Sequence, residues 1–280
     1  GLRADMDALP IEETSGLSYT STHRGVMHAC GHDGHTTMLL AAARYLAQHS
    51  DFTGTLHLIF QPAEEGGGGA RVMIEDGLFD RFPCDAVFAM HNVPGFPVGQ
   101  LGFASGAFMC SADTVNITLH GHGGHGAVPQ HTVDPVVVCA AIVMSLQTIV
   151  SRNIDPQETA IVTVGAIQAG RAANVIPATA TMTLSVRALD AGVRQRLENR
   201  ITALVEAQAA SFGARADIDY QQGYPVLVNH VAETELARTV ALDWAGEQQL
   251  IPSLRPFTAS EDFEKKKKKC PGSYISIGNG

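Results

Sequence analysis

Apolar positions in the first third of the chain alternate between two periods. Thr36 to Gln48 (TTMLLAAARYLAQ) puts apolar residues at i, i+3 and i+4 and is rich in Ala, Leu and Met, which predicts a helix. Thr55 to Phe60 (TLHLIF) reads as a short strand ended by Gln61-Pro62. The glycine run Gly66 to Gly69 leads into the helical stretch ARVMIEDG, closed by Gly77, and Asp85 to Met90 (DAVFAM) is the next strand. Strand–helix–strand repetition of this kind predicts an α/β fold: a mostly parallel sheet with helices on its faces.

The pattern changes after about Ser111. Thr114 to His120 (TVNITLH) alternates as a half-buried strand, and a helix follows from about Pro135 to Arg152. Strands at Ala160 to Gln168 and Ala178 to Arg187, a helix from Asp190 to Phe212 and a strand near Arg215 to Gln221 complete the order β-α-β-β-α-β. That is the order of a split-βαβ, ferredoxin-like domain. Helix and strand resume from about Gly223 (VAETELARTVALDWA, then SYISIG). The expected organisation is a discontinuous α/β domain over 1–111 and 223–280, with an α+β domain inserted over 112–222.

Composition narrows the partners. Over 280 residues the formal charge is −9, leaving no basic surplus to neutralise phosphates, so a nucleic-acid partner is not expected. Five cysteines, widely spread and without a CxxC pair, argue against a disulfide framework and for a reducing, cytoplasmic setting. The longest apolar run, Pro135 to Val150, contains Ser145 and Gln147 and reads as a buried helix rather than a membrane span. Lys265 to Lys269 fall where a helical turn with an apolar face is expected, and read equally as a solvated charge run or as a placeholder or sequencing error.

Chemistry concentrates in four stretches: DMDALP (Asp5 to Pro10), ACGHDGH (Ala29 to His35), PAEE (Pro62 to Glu65) and MHN (Met90 to Asn92). PAEE and MHN each follow a predicted strand, and in open α/β sheets ligands sit at the carboxyl ends of strands. Cys30 offers a thiolate, His32 and His91 imidazoles, and Glu64-Glu65 carboxylates. Such mixed donors suit Zn²⁺, Mn²⁺, Co²⁺ or Ni²⁺, and a bridging thiolate suits two ions about 3.5–4 Å apart. Of two adjacent glutamates, one can bind metal while the other takes a proton from metal-activated water. A cysteine nucleophile using His28, His32 or His35 as base is the sharper rival, and a polar turn without chemistry is the plain one.

The stretches LRADMDALPI, HACGHDGHTTMLL, FQPAEEGGGGA, AMHN, GHGGHGAVP, NVIP and ASEDF occur here in the order found in the metal-dependent aminoacylase/carboxypeptidase superfamily. The chain resembles most closely its hippurate hydrolase and auxin-conjugate amidohydrolase branch, essentially end to end. The resemblance implies a zinc-exopeptidase-like catalytic domain, with the inserted domain as lid and dimerisation unit. It implies Cys30 as the bridging ligand, His32, Glu65 and His91 as further ligands, and Glu64 as general base. Asp7 resembles the carboxylate that orients the site. In the inserted domain, His125 resembles a group that polarises the scissile carbonyl, often from a partner subunit. Asn174 and Arg187 resemble groups that hold the substrate's carboxylate or the carbonyl oxygen.

The implied activity is hydrolysis of N-acyl or N-aroyl amino acids by a homodimer or homotetramer carrying two divalent ions, Mn²⁺ or Zn²⁺ first among them. A dipeptidase or exocarboxypeptidase sharing the site is the second enzyme reading. Family members carry a last metal-binding histidine beyond the GNG stretch; this chain stops at Gly280 and opens GLRADMDALP, without a Met and partway into a strand, so it is expected to be cut at both ends. The missing ligand keeps a non-catalytic metal- or amino-acid-binding protein in play.

Overall fold

The computed structural model describes residues 1–263 and 270–280; Lys265 to Lys269 lie outside them. In chain order the elements are β1 (Leu2–Asp5), α1 (His32–Gln48), β2 (Leu58–Gln61), α2 (Gly69–Glu75), α3 (Leu78–Arg81), β3 (Val87–Val93), β4 (Leu101–Gly102) and β5 (Gly106–Met109). These are followed by β6 (Ser111–His120), β7 (Gly124–His125), α4 (Pro135–Asn153), β8 (Ala160–Ala169), β9 (Val175–Ile176), β10 (Thr179–Ala188), α5 (Ala191–Ser211) and β11 (Arg215–Tyr224). The chain closes with β12 (Leu227–Asn229), α6 (Val231–Ala245) and β13 (Gly272–Gly278). It divides into two compact units: Gly1–Phe108 with Leu227–Pro256 and Glu261–Gly280, and Met109–Val226 with Phe257–Ser260.

The first unit is built on a five-stranded sheet in the order β2-β1-β3-β13-β4. β2, β1, β3 and β13 run parallel, and β4 closes the edge antiparallel to β13. Met38, Leu39 and Ala42 of α1 face Leu2, Phe88, Met90 and Ile275 across a largely apolar cavity of about 200 Å³. Ile275 also packs with Ala241 of α6. The opposite row carries polar groups. Arg3, Ala89 and Tyr274 are in register across β1, β3 and β13, and the small Ala89 leaves room for the Arg3 guanidinium to reach the Tyr274 hydroxyl at 3.4 Å.

Near the chemistry, boundaries differ from the sequence expectation at three elements. Helix α1 starts at His32 rather than Thr36, because Gly31, at φ +92°, turns the chain into the helix without a capping side chain. β2 starts at Leu58 rather than Thr55. β3 runs on to Val93, so His91 and Asn92 end a strand rather than follow one.

The second unit is a four-stranded antiparallel sheet in the order β11-β6-β10-β8, with β6-α4-β8-β10-α5-β11 along the chain. That is the ferredoxin-like arrangement. Val115, Ile117 and Leu119 alternate inward on β6, as do Met182, Leu184 and Val186 on β10. They pack on Ile142, Leu146 and Ile149 of α4 and on Leu197, Ile201 and Val205 of α5. Both helices carry an aspartate cap: Asp134 accepts the Val136 N–H at 2.8 Å and Asp190 the Val193 N–H at 2.9 Å.

Candidate metal centre

Six side chains named from the sequence meet in the first unit. Asp7 follows β1, Cys30 and His32 flank the Gly31 turn into α1, Glu64 and Glu65 follow β2, and His91 is near the end of β3. Among the described residues, ligand atoms of Cys30, His32 and His91 lie within 4.8 Å of one another, and so do those of His32, Glu64 and Glu65. Cys30 Sγ is 3.6 Å from His91 Nε2, and His32 Nε2 is 3.9 Å from Glu65 Oε1.

The orientation of each donor has a local cause. His91 Nδ1–H donates to the carbonyl of Asn92 at 2.6 Å, which leaves Nε2 as the ligand atom facing Cys30. Asp7 accepts the Glu65 N–H at 2.8 Å through Oδ2, and its Oδ1 is 3.3 Å from His32 Nδ1. The turn that presents the glutamates holds Ala63 at φ +55°, and Gly69 closes behind it. A Cβ on Gly69 would lie 1.8 Å from the Pro62 carbonyl oxygen.

Among the described residues, four buried polar atoms here lack a hydrogen-bond partner: both nitrogens of His32, Oε1 of Glu65 and Oδ1 of Asp7. Buried polar atoms are almost always paired, so a cluster of unpaired donors and acceptors is a cavity shaped for another ligand. Thiol, imidazole and carboxylate are the donor set of a first-row divalent ion, and the residues present fit one.

Electrostatics agree. Burial, with Glu261 and Asp262 beside it, pushes the Glu64 carboxyl up to about 10. Burial and the neighbouring Glu65 push the Cys30 thiol up to about 12. Burial lowers His91, favouring its neutral, ligating form. A buried carboxyl and a buried thiol that both resist ionisation are groups that a positive charge between them would relieve.

Behind the donors lies a buried network that the sequence reading did not assign. Arg3 bonds Asp5 at 2.7 Å, Gln61 at 3.0 Å, Glu261 at 2.9 Å and Asp262 at 3.1 Å. Asp262 also accepts the Ala70 N–H at 2.8 Å, tying the start of α2 to the same centre. Burial would raise Asp5, but Arg3 and then His35 outweigh it and hold its carboxyl well below the usual range. The readable signal was LRAD itself: Arg3 and Asp5 share one face of a strand that pairs on both sides. ASEDF carried Glu261 and Asp262 with no role attached.

The remaining named residues lie elsewhere. Asp33 and His28 are exposed, and neither belongs to a donor group among the described residues. Of the two glycines in ACGHDGH, Gly34 is helical with open space around it, and only Gly31 is required by the turn. His125, Asn174 and Arg187 belong to the second unit. His125 ends β7, and its Nδ1 accepts the Ala127 N–H at 3.0 Å, so the neutral ring carries its proton on Nε2. Asn174 is exposed just before β9, its carbonyl accepting the Gly126 N–H. Arg187 is half-buried on β10 and donates to the Thr258 carbonyl at 3.4 Å.

Comparison with known proteins gives a consistent answer. The model of peptidase family M20/M25/M40 matches residues 1–280. A hippurate hydrolase from Campylobacter jejuni is 45% identical over 100% of this chain and 73% of its own length. An N-acetyl-L-cysteine deacetylase from Bacillus subtilis is 44% identical over 99% of this chain and 66% of its own. The crystal structure of a dinuclear metal-binding peptidase of the M20 family from Bacillus subtilis superposes with a TM-score of 0.82 at 33% identity. That superposition covers 99% of this chain and 71% of the other. The chain thus spans about two thirds to three quarters of the length of these relatives. A metal-ready cluster at the ends of parallel strands, on a sequence matched from end to end, has one assignment: the chain belongs to peptidase family M20/M25/M40.

Proposed function

We propose that the chain is a metal-dependent amidohydrolase that removes the acyl or aroyl group from N-acyl amino acids of the hippurate type. The observation that carries this is the convergence of Cys30, His32, Glu64, Glu65 and His91 around buried atoms with no protein partner. Relatives named for hydrolysing hippurate and for deacetylating N-acetyl-L-cysteine support the substrate class.

Cys30, His32, Glu65 and His91 would hold two divalent ions, Mn²⁺ or Zn²⁺, with Co²⁺ and Ni²⁺ also suited to the donors. When bound, such ions polarise the acyl carbonyl and lower the pKa of water to about 7. Glu64 takes the proton from the attacking water and gives it to the leaving amine. Its proton, held up to about 10 without metal, is released when positive charge lies beside it. Asp7 keeps His32 aligned and fixes the Glu65 backbone. His125 donates from Nε2–H to the acyl oxygen, acting from a partner subunit in a homodimer or homotetramer. Asn174 and Arg187 hold the substrate carboxylate or the carbonyl oxygen. The segment expected at 112–222 serves as lid and dimerisation unit. A cytoplasmic setting fits five cysteines that are all free.

Glu64→Gln tests the base. The expected result is a loss of benzoyl-glycine turnover on the order of 10²–10⁴-fold with bound metal retained; wild-type turnover would sink the role. Parallel rates on benzoyl-glycine and a dipeptide separate this activity from a dipeptidase or exocarboxypeptidase. Stoichiometric metal without turnover on any acyl amino acid would favour a non-catalytic binder.

A further inference from the structure

Two groups behind Cys30 and His91 interlock although neither is assigned to the metal. His35, buried on the first turn of α1, has both ring nitrogens engaged. Its Nδ1–H donates to Asp5 Oδ1 at 2.5 Å, and its Nε2 accepts the Asn92 N–H at 3.0 Å. Oδ1 of the Asn92 side chain lies 2.8 Å from the same nitrogen, a contact between two acceptors that adds no hydrogen bond while Nε2 accepts the N–H. Asn92 also packs against the backbone of Gly31: a Cβ there would lie 2.0 Å from Asn92 Oδ1 and 2.6 Å from Cγ. Finally, the Asn92 carbonyl accepts the His91 Nδ1–H at 2.6 Å and so fixes that ring. Asn92 therefore meets the residue after Cys30 with its side chain, orients His91 with its carbonyl, and is held by His35 through its N–H.

We propose that His35 and Asn92 form a latch that sets the spacing of Cys30 and His91, making them positioning residues for the metal centre. Cys30 and His91 come from a loop and a strand 61 residues apart, and their 3.6 Å approach is not set by a bond between their own backbones. The latch supplies that link from one side, through Gly31 and Asn92, and anchors it to β1 through Asp5. Because both His35 nitrogens are spent on the latch, His35 supports the ligands without being one. The proposal rests on the reading of Cys30 and His91 as ligands.

The test is a Co²⁺ titration of the metal-depleted chain, followed by the thiolate-to-cobalt charge-transfer absorption, which reports Cys30 ligation directly. Two His35 variants each keep one half of the latch. His35→Gln places an amide oxygen where Nε2 accepts the Asn92 N–H; His35→Asn places an amide N–H where Nδ1 donates to Asp5. The expected result is a band and affinity close to wild type for His35→Gln. For His35→Asn and for Asn92→Ala, Co²⁺ binding should weaken roughly 10–100-fold. Equal losses in His35→Gln and His35→Asn would overturn the latch, because a ligand or a core filler would behave that way. Unchanged binding in His35→Asn and Asn92→Ala would overturn it too. Circular dichroism and melting confirm that each variant is folded, and Asn92→Ala carries the test if His35→Asn does not fold. A wild-type chain that shows no thiolate band would overturn the ligand assignment itself, a result distinct from either failure of the latch.

Discussion

Cys30 distinguishes the metal reading from its nucleophile rival. A cysteine nucleophile needs a depressed thiol pKa, whereas burial and Glu65 push this one up to about 12. The metal-free chain should therefore react with iodoacetamide at Cys30 far more slowly than a free cysteine does, as read by mass spectrometry of the labelled peptide; labelling at the free rate would revive the nucleophile. Arg3 is the other decisive residue, a buried cation facing Asp5, Glu261 and Asp262. Arg3→Met leaves those carboxylates without it and should cost about 3–5 kcal/mol in urea denaturation. A cost within about 1 kcal/mol would mean the network is not holding the site. The donors were legible because Cys, His and Glu announce their chemistry in short motifs. Arg3 and Glu261 were not, because their pairing spans 258 residues and only the folded sheet brings them together.

At the scale of elements, the local signals set type and order but not the ends. The period of TTMLLAAARYLAQ predicts α1, yet the helix gains its first turn from the Gly31 conformation, which no hydrophobic period encodes. That turn decides the chemistry, since it places His32 and His35 on a helix rather than in a loop. MHN likewise ends β3, where strand pairing with β13 holds His91 opposite Ser276. In the glycine run after Glu65, Gly69 makes the closest approach, letting the start of α2 press on the Pro62 carbonyl, and Gly67 packs closely on Ala63. Gly69→Ala should separate α2 from the glutamate turn and cost roughly 2–3 kcal/mol of stability, with a matching loss of bound metal. Unchanged denaturation midpoint and metal content would show that the close approach is not required.

For the molecule as a whole, the βαββαβ order of the second unit was readable from alternation alone, because each of its strands is half-buried and consecutive elements pack together. The order of the parallel sheet was not: β13 enters beside β3 from the far end of the chain. The first unit also sets how stability responds to pH. The unfolded chain releases the Glu64 proton near 4.5 and the folded metal-free chain near 10. The folded state thus binds more protons across that window, and its stability falls as pH rises. The metal-free melting temperature should drop between about pH 7 and 9, above the range in which histidines titrate. Glu64→Gln should recover about 1–3 kcal/mol in that range, and bound metal should flatten the slope. A metal-free melting temperature that is flat or rising over the same range would contradict the assignment of that proton.

The most direct test of the account follows benzoyl-glycine hydrolysis in one sample as prepared, after chelation and dialysis, and after Mn²⁺ or Zn²⁺ is added back. Turnover should fall to background without metal and return in proportion to bound ion. Turnover that persists in the metal-free chain would contradict it.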